Sequence, residues 1–417
     1  MHSDNTTFDY YYGRLKKMSL LRAYDKCGFD VSDIYDPDNI LDTKKRQLQE
    51  EWLDNASLEK IAQRIDDKIE EIKYKYVAEM VNDAYQAGND IDELIDDLLE
   101  HPEVGAPLFG PLINTVTRGA RLNKFYLRSA ATGVGKSRSM IADACYLSCE
   151  KYYQEGIGWI KSGGGGEPVL FISTEQTKDE IQTMMLAFLS NVNEDHILNG
   201  KYVGDELARV REAAQYLRKA NLFVVEMPDF SLRDVENVIK KNIRDHGIKY
   251  VFHDYIHTSM KILEEISKRS GGVKLREDNI LFMLSTRLKD ICNQYGIFIM
   301  SATQLNADYQ YSETPDQNVL RGSKAIADKI DVGMLLLQAR DNDYQSLEKI
   351  LETNTFERPT IKLSVYKNRR GKYKGIYLWC KADLGCCRII PIFCTDWSYE
   401  LVDMENVKIR IAEDSAF

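Results

Sequence analysis

One stretch constrains the fold more than any other. An apolar run from Phe125 to Ala130 enters Ala131-Thr132-Gly133-Val134-Gly135-Lys136-Ser137 and leaves as the helical pattern SRSMIADACYLSCEKYY. Strand, glycine-bearing turn and helix in that order make a phosphate cradle. Glycine lets consecutive backbone N–H groups turn toward phosphate oxygens, and the helix N-terminus adds the positive end of its dipole. The lysine reaches the β- and γ-phosphates and the next hydroxyl is a ligand for Mg2+. The nucleotide-binding set read from this block is Ala130, Thr132, Gly133, Val134, Gly135, Lys136, Ser137 and Arg138, with Ala130 where the usual pattern has its first glycine. By itself the block establishes only that the chain holds a nucleoside triphosphate.

A phosphate cradle of this kind sits on a mostly parallel sheet, and the sequence after Arg118 supplies one. Apolar β-type runs, FYLRSA, VLFIST, LFVVEM, YVFHD, IFIMSA and VGMLLL, alternate with amphipathic helical segments. That alternation predicts an α/β core with helices on both faces of the sheet. A tail of shorter strands follows, IKLSVYKN, GIYLWCKAD and CRIIPIF, with Arg370-Gly371-Lys372 as a hairpin turn. The run Gly163 to Gly166 reads as a flexible surface loop.

Parallel strands deliver whatever follows them to one edge of the sheet. Glu175 lies just past VLFIST and just before Thr177-Lys178-Asp179-Glu180, which has the spacing of a capping box. A carboxylate in that turn is placed to polarise the water that attacks a γ-phosphate, although a solvated loop acid has the same local sequence. Asp254 ends the apolar strand YVFHD, where a Walker B aspartate holds Mg2+, so Ser137 and Asp254 are the metal pair. Gln304 ends IFIMSATQ, where an amide senses the γ-phosphate. His253 and His257 imitate a zinc motif, but on a strand positions four apart lie about 13 Å from each other, too far for one metal.

Composition narrows the class. No run of eighteen apolar residues and no leader-like start is present, so a soluble, cytoplasmic protein with no membrane contact is expected. Eight cysteines form no C-x-x-C pair, and buried reduced thiols are the expectation; the cluster Cys380, Cys386, Cys387 and Cys394 leaves zinc as the alternative. The net charge of −10 argues against a surface that coats nucleic acid throughout. A local basic channel is compatible with it, because Lys and Arg are missing from Tyr76 to Thr117 and concentrated from Arg358 to Lys374.

The first part of the chain reads differently. Leu58, Ile61, Ile65, Ile69, Ile72, Tyr76 and Met80 form one stripe of a long helix, which packs on its own domain or docks on a neighbouring subunit. The acidic stretch Asp90 to Glu103, closed by His101-Pro102, marks a boundary. The expected organisation is a small helical N-terminal region over 1–104 and an α/β motor domain over 105–417.

With these blocks in order, the sequence resembles the carboxy-terminal motor domain of DnaB-like replicative helicases. RSAATGVGKS, VLFISTEQTKDEI, YVFHDYIH, IMSATQLN and LRGSKAIADKIDVGML carry the likeness from about Gly105 to about Phe393. A further block, Tyr366-Lys367-Asn368-Arg369-Arg370-Gly371, resembles the family's K-x-R-x-G hairpin. The resemblance implies a RecA-like fold with a C-terminal β-hairpin region, ATP and Mg2+ between subunits of a hexameric ring, and travel from 5′ to 3′ on single-stranded DNA to open a forked duplex. It implies that Lys136, Glu175 and Gln304 act in one subunit while Lys367 and Arg369 reach the neighbour's ATP as fingers. Taken alone, those two residues read as a solvated basic turn, and the resemblance reverses that reading.

The resemblance also places Arg321, Gly322 and Lys324 on a channel loop that grips DNA phosphates, with Lys261 to Lys274 as a second channel loop or a solvated helix. The family's glutamate after this arginine is Gly322 here and its later glycine is Lys324. His257 stands where the family has glutamine, and the N-terminal region is short for the family's helical domain; a divergent phage, plasmid or mobile-element member fits, and so does a homologue that has lost its primase-docking collar. A primase or helicase loader is the implied partner. The alternative is a RecA-superfamily ATPase, KaiC-like or of the recombination type, that assembles on partners or DNA without unwinding. The blocks ending in Gln304 and Arg321 and the basic hairpin favour the helicase.

Overall fold

In the computed structural model, residues 5–37, 42–76, 87–100, 102–269, 276–306, 309, 316–320 and 324–404 are described. The chain separates into two compact units, Met1–Asp96 and Asp97–Phe417. The first contains α1 (Asn5–Lys26), α2 (Thr43–Asn55) and α3 (Leu58–Tyr76), and α4 (Ile91–Glu100) spans the division. Asp42 starts α2 by accepting from the Lys45 N–H, which satisfies one of the free donors of a helix N-terminus. Leu21, Ile34, Leu53, Ala56, Ile61 and Ile65 form this unit's core. The predicted stripe therefore packs on its own unit through Ile61, Ile65 and Ile69, whereas Ile72 is exposed. Met80, the last residue of that stripe, lies outside the described residues.

The second unit opens with α5 (Pro111–Thr117), in which proline occupies the first turn, where its missing N–H costs nothing. It continues through β1 (Phe125–Ala130), α6 (Lys136–Ser148), a hairpin of β2 (Lys151–Gln154) and β3 (Gly158–Lys161), β4 (Val169–Ser173), α7 (Lys178–Ser190), α8 (Glu194–Asn199), α9 (Glu206–Lys219) and β5 (Leu222–Glu226). Then come α10 (Leu232–His246), β6 (Tyr250–Asp254), α11 (Met260–Arg269), α12 (Glu277–Tyr295), β7 (Phe298–Ser301), α13 (Lys324–Lys329), β8 (Val332–Gln338), α14 (Asp341–Thr353), β9 (Ile361–Asn368), β10 (Ile376–Asp383) and β11 (Arg388–Asp396).

Nine strands make one sheet in the order β11-β10-β9-β8-β1-β7-β6-β4-β5. From β8 to β5 every pairing is parallel, and β9, β10 and β11 add an antiparallel meander. Period-two alternation assigns each strand's side chains to two cores. Tyr126, Phe171, Phe252, Phe298 and Met334 enter one face; Leu127, Ile172, Val251, Ile299 and Leu335 enter the other. The expected mostly parallel α/β sheet is the observed one.

Three local readings need correction. The helix after the cradle ends at Ser148, and Lys151 to Gln154 are a strand. Tyr152 there packs against Phe109, Tyr146 and Phe188, so tertiary aromatic contacts override a helical pattern. Gly163 and Gly164 are not a free linker: a Cβ at either would stand 2.7 Å from Tyr146 or Leu147, so glycine allows the loop to press on the end of α6. The C-terminal strands, at 8, 8 and 9 residues, are the longest in the sheet and extend it directly.

A buried ion pair fastens the cradle's strand to its helix. Arg128 Nη1 of β1 lies 2.7 Å from Asp143 Oδ2 of α6, both side chains being nearly inaccessible, and Asp143 Oδ1 accepts from the Phe109 N–H at 2.8 Å. Removing one member of such a pair strands the other charge. Asp143→Ala is expected to lower stability by about 3–5 kcal/mol in urea unfolding, and a loss below about 1 kcal/mol would show that the pair behaves as a solvated one.

Candidate nucleotide site

The parallel register brings the carboxyl ends of β1, β4, β6 and β7 to one edge, pairing Ser173 with Asp254 and Ala130 with Gln304. Between β1 and α6 the chain turns through Gly133 and Gly135, both at positive φ. Gly135 is needed for its positive φ, and a Cβ there would also press on the end of the Leu384 side chain at 2.6 Å. Ala130, Thr132, Gly133, Gly135, Lys136, Ser137 and Arg138 line an open cleft of about 660 Å³ together with Glu175 and Gln304. Val134 is the exception within the expected set, since its side chain is turned into the core.

Lys136 Nζ pairs with Asp254 Oδ1 at 3.0 Å and lies 3.5 Å from the centroid of the Tyr255 ring. The ammonium thus has a carboxylate on one side and a π-face on the other, two favourable contacts for a cation held away from bulk water. Thr174 fixes the ends of β4 and β6 to each other: its N–H and hydroxyl both donate to the Asp254 carbonyl at 2.9 Å. Glu175 follows in the turn before α7, whose first turn has the predicted capping box of Thr177 and Glu180.

Tyr255 is the residue that sequence reading passed over. Its hydroxyl donates to Glu175 Oε1 at 2.8 Å and accepts from Gln304 Nε2 at 3.1 Å, so one phenol touches two expected site residues while its ring carries a third. The available signal was its place directly after Asp254 in YVFHDYIH. A strand's alternation turns Tyr255 away from Asp254, but the strand ends at Asp254 and the alternation ends with it.

Arg138 points out of the cleft floor, donating to the Leu384 carbonyl at 2.8 Å and to Glu194 Oε2 at 2.5 Å. Lys367 and Arg369 lie elsewhere. Asn368 pairs with Val332, which pairs with Tyr126 at the start of β1, so the hairpin turn is at the sheet edge opposite the cradle. There Lys367 Nζ donates to the Ala327 carbonyl and Arg369 donates to the Asp328 carbonyl at 2.8 Å, both near the carboxyl end of α13, where cations are favoured. Burial and the neighbouring Arg369 hold the Lys367 ammonium below its ordinary pKa. Asn368 ties the turn with bonds to the Val116 and Tyr373 carbonyls.

Arg321 and Gly322 lie outside the described residues, and Lys324 opens α13. Of the proposed second channel loop, Lys261 to Arg269 belong to helix α11, and 270–274 lie outside the described residues. Seven of the eight cysteines are buried; burial pushes the Cys380, Cys386 and Cys394 thiols up to about 12 and the Cys387 thiol up to about 11. These are protonated thiols packed as small apolar groups.

The donor set suits a magnesium nucleotide. A Mg2+ on such a site would take one hydroxyl and one carboxylate from the protein; Ser137 lines the cleft, and the Asp254 carboxylate lies at it, paired with Lys136. No cluster of three His, Cys, Asp or Glu side chains able to hold a metal occurs among the described residues. Among the described residues no helix is long and apolar enough to cross a membrane.

Comparison with known proteins agrees with this geometry. Residues 111–385 match the family described as the DnaB-like helicase C terminal domain. An uncharacterized SPbeta prophage-derived protein, YorI of Bacillus subtilis (strain 168), is 39% identical over 408 residues, covering 97% of this chain and 80% of that protein. The replicative DNA helicase DnaB of Rickettsia prowazekii (strain Madrid E) is 22% identical over 168 residues, 40% of this chain and 33% of that helicase. The fold is shared with a DnaB-like replicative helicase whose structure was reported with its interactions with primase, at a TM-score of 0.56 and 14% identity over 83% of this chain and 78% of that one.

Beneath the site, His253 is fully buried and faces Phe230, with His257 next to it. Ser301 gives its hydroxyl proton to the His253 carbonyl, so the ring Nδ1–H donates to Ser301 Oγ at 3.0 Å, and Nε2 has no partner among the described residues. Burial first, then the neighbouring His257 and Lys136, lower the ring's pKa from 6.5 to about 3. The unfolded chain therefore takes up a proton that the folded chain refuses. This contribution to stability is intact above pH 6.5 and is lost progressively as pH falls toward 3. Between pH 7 and pH 5 the native protein is expected to lose about 2 kcal/mol more than His253→Leu, measured by urea unfolding; equal losses would mean that the ring is protonated in the folded state.

Proposed function

We propose, from the premise that this chain belongs to the family of the DnaB-like helicase C-terminal domain, that it is an ATP-driven motor for single-stranded DNA. Working as a hexameric ring, it opens the duplex of a replication fork. The family supports ATP hydrolysis as the chemistry, and the cleft supports the distribution of roles. Lys136 leaves Asp254 for the β- and γ-phosphates, Ser137 and Asp254 hold the metal, Glu175 orients and polarises the attacking water, and Gln304 senses the γ-phosphate. Bound Mg2+ neutralises the charge that develops on the phosphate oxygens.

The observation that carries the ring is the position of the basic hairpin. Lys367 and Arg369 lie at the opposite end of a parallel strand pair from the cradle, about 13 Å away along β1 before the loop is counted. They cannot serve the nucleotide of their own subunit. A cationic pair kept close together and away from its own site fits a site completed in trans, as arginine fingers complete phosphoryl-transfer sites. A KaiC-like or recombination-type ATPase shares the cradle, Glu175 and Asp254, and it lacks a reason for the block ending in Gln304 together with this hairpin.

The segment between Leu305 and Lys324 is the proposed DNA contact, with Arg321, Gly322 and Lys324 meeting phosphates without sequence preference. A primase or helicase loader is the proposed protein partner. The match to a prophage-derived protein over most of its length supports a phage or mobile-element role.

A forked-duplex assay run beside a mass measurement tests activity and ring together. The native protein is expected to unwind the fork with ATP and Mg2+ as a sixfold assembly, and Lys136→Ala to assemble without unwinding. Unwinding by Lys136→Ala, or by a monomer, would contradict the reading. Arg369→Ala is expected to lower DNA-stimulated ATP turnover by about a hundredfold or more; an unchanged rate would remove the trans assignment.

A further inference from the structure

Arg138 is a member of the expected nucleotide set to which the proposed chemistry gives no role. It follows Ser137 in the first turn of α6 and lines the cleft, yet its guanidinium is engaged with protein groups. Nη1 donates to the Leu384 carbonyl at 2.8 Å and to Cys387 Sγ at 3.3 Å, and Nη2 donates to Glu194 Oε2 at 2.5 Å. Glu194 opens α8 with its side chain 11% exposed, so the two opposite charges neutralise each other largely away from water. Charge-assisted bonds of this kind are about twice as strong as neutral ones.

These contacts converge on the turn between β10 and β11. Arg138 holds its Leu384 carbonyl and Cys387 sulfur from one side; from the other, the Glu194 N–H donates to the Gly385 carbonyl at 2.9 Å. The apolar side of the same turn backs the cradle: the side chains of Leu384 and Ile389 end 2.6 and 3.2 Å from the point where a Cβ on Gly135 would stand. The cradle's other glycine at positive φ, Gly133, has nothing within 4 Å of the corresponding point. Gly135 is thus where the cradle is supported from behind, and the support comes from a turn far along the chain.

The geometry points to Arg138 and Glu194 as positioning residues: together they brace the β10–β11 turn against Gly135 and hold the cradle in its phosphate-binding shape before nucleotide arrives. The inference rests on the nucleotide reading of the cleft and deepens it. A glycine at positive φ has many other conformations open to it, and freezing them at the moment of binding weakens binding. A cradle already held by the turn avoids that loss, so the brace acts on affinity and leaves the chemical step alone. Arg138 as a direct phosphate ligand makes the opposite prediction for Glu194. Removing the carboxylate would then free the guanidinium for phosphate and tighten binding, whereas removing half of a brace loosens it.

Binding of Mg2+·ADP is measured by calorimetry for the native protein, Arg138→Met, Glu194→Met, the double variant and Leu384→Ala. Hydrogen exchange of the nucleotide-free cradle from Gly133 to Ser139 and thermal unfolding are measured alongside. Methionine keeps length and helix propensity while deleting the charge. The expected result is a rise in Kd of at least about fivefold for each single variant, Glu194→Met included, with the double variant within about twofold of the weaker-binding single one. Leu384→Ala keeps the backbone bonds of the turn and reproduces the rise, and exchange in the cradle is faster in all four. In ATP turnover with poly(dT) the change falls on KM, with kcat within about threefold of native. Binding by Glu194→Met as tight as native or tighter, single effects that multiply in the double variant, a change confined to kcat, or unaltered exchange in the cradle overturns the inference. Leu384→Ala with native affinity does the same, and it decides the question if the charge variants fail to fold. A native protein that binds no Mg2+·ADP contradicts the nucleotide reading instead; cradle exchange then decides the brace by itself.

Discussion

Everything at the candidate site depends on strands running in the same direction. Six strands, β8, β1, β7, β6, β4 and β5, are neighbours in parallel, so each ends at the same edge. A parallel sheet cannot turn back at that edge; it must leave through a loop and a crossover. The edge therefore collects loops, and polar groups in them are held by rigid strands a few residues away. Lys136, Glu175, Asp254 and Gln304 are distant in sequence and meet because each lies at the end of such a strand or within a few residues beyond it. The ion pair of Lys136 with Asp254 and the bonds from Thr174 to the Asp254 carbonyl join three of these ends to one another.

The same constraint explains why the basic hairpin is remote. β9 is antiparallel to β8, so its carboxyl end returns to the edge from which β1 starts. A chain built this way cannot bring Lys367 and Arg369 to its own cradle without unpairing β9. Their position is secured by several contacts: Asn368 bonds to Val116 and Tyr373, and Gly371 leaves room that a Cβ would contest with Asn368 at 2.1 Å. The basic turn is held where it can face another molecule, which makes assembly a structural requirement of the proposed chemistry.

The parts legible in the sequence are those governed by local rules. Apolar strand runs, the cradle, the capping box at Thr177 and the turn at Arg370 each follow from a few adjacent residues and a known period. What was not legible depended on partners far along the chain. KYYQ became a strand because Tyr152 packs against Phe109 and Phe188, which are remote in sequence. Gly163 and Gly164 looked like linker residues, because their close approach to α6 leaves no mark on their neighbours. Tyr255 was hidden for a similar reason: its partners Glu175 and Gln304 follow separate strands, and an aromatic residue after a strand reads as core. Val134, within the cradle, shows the reverse case, a residue placed in the motif by position but in the core by its side chain.

The central claim is a catalytic site assembled from two copies of the chain. Mixing two variants, each inactive alone, measures this most directly: Lys136→Ala lacks the cradle lysine and Arg369→Ala lacks the finger. In rings formed at random from equal amounts, about a quarter of the interfaces combine an intact cradle with an intact finger from the neighbour. The account predicts that ATP turnover, negligible for each variant alone, returns on mixing to about a quarter of the native rate. A mixture that remains as inactive as its components would contradict it.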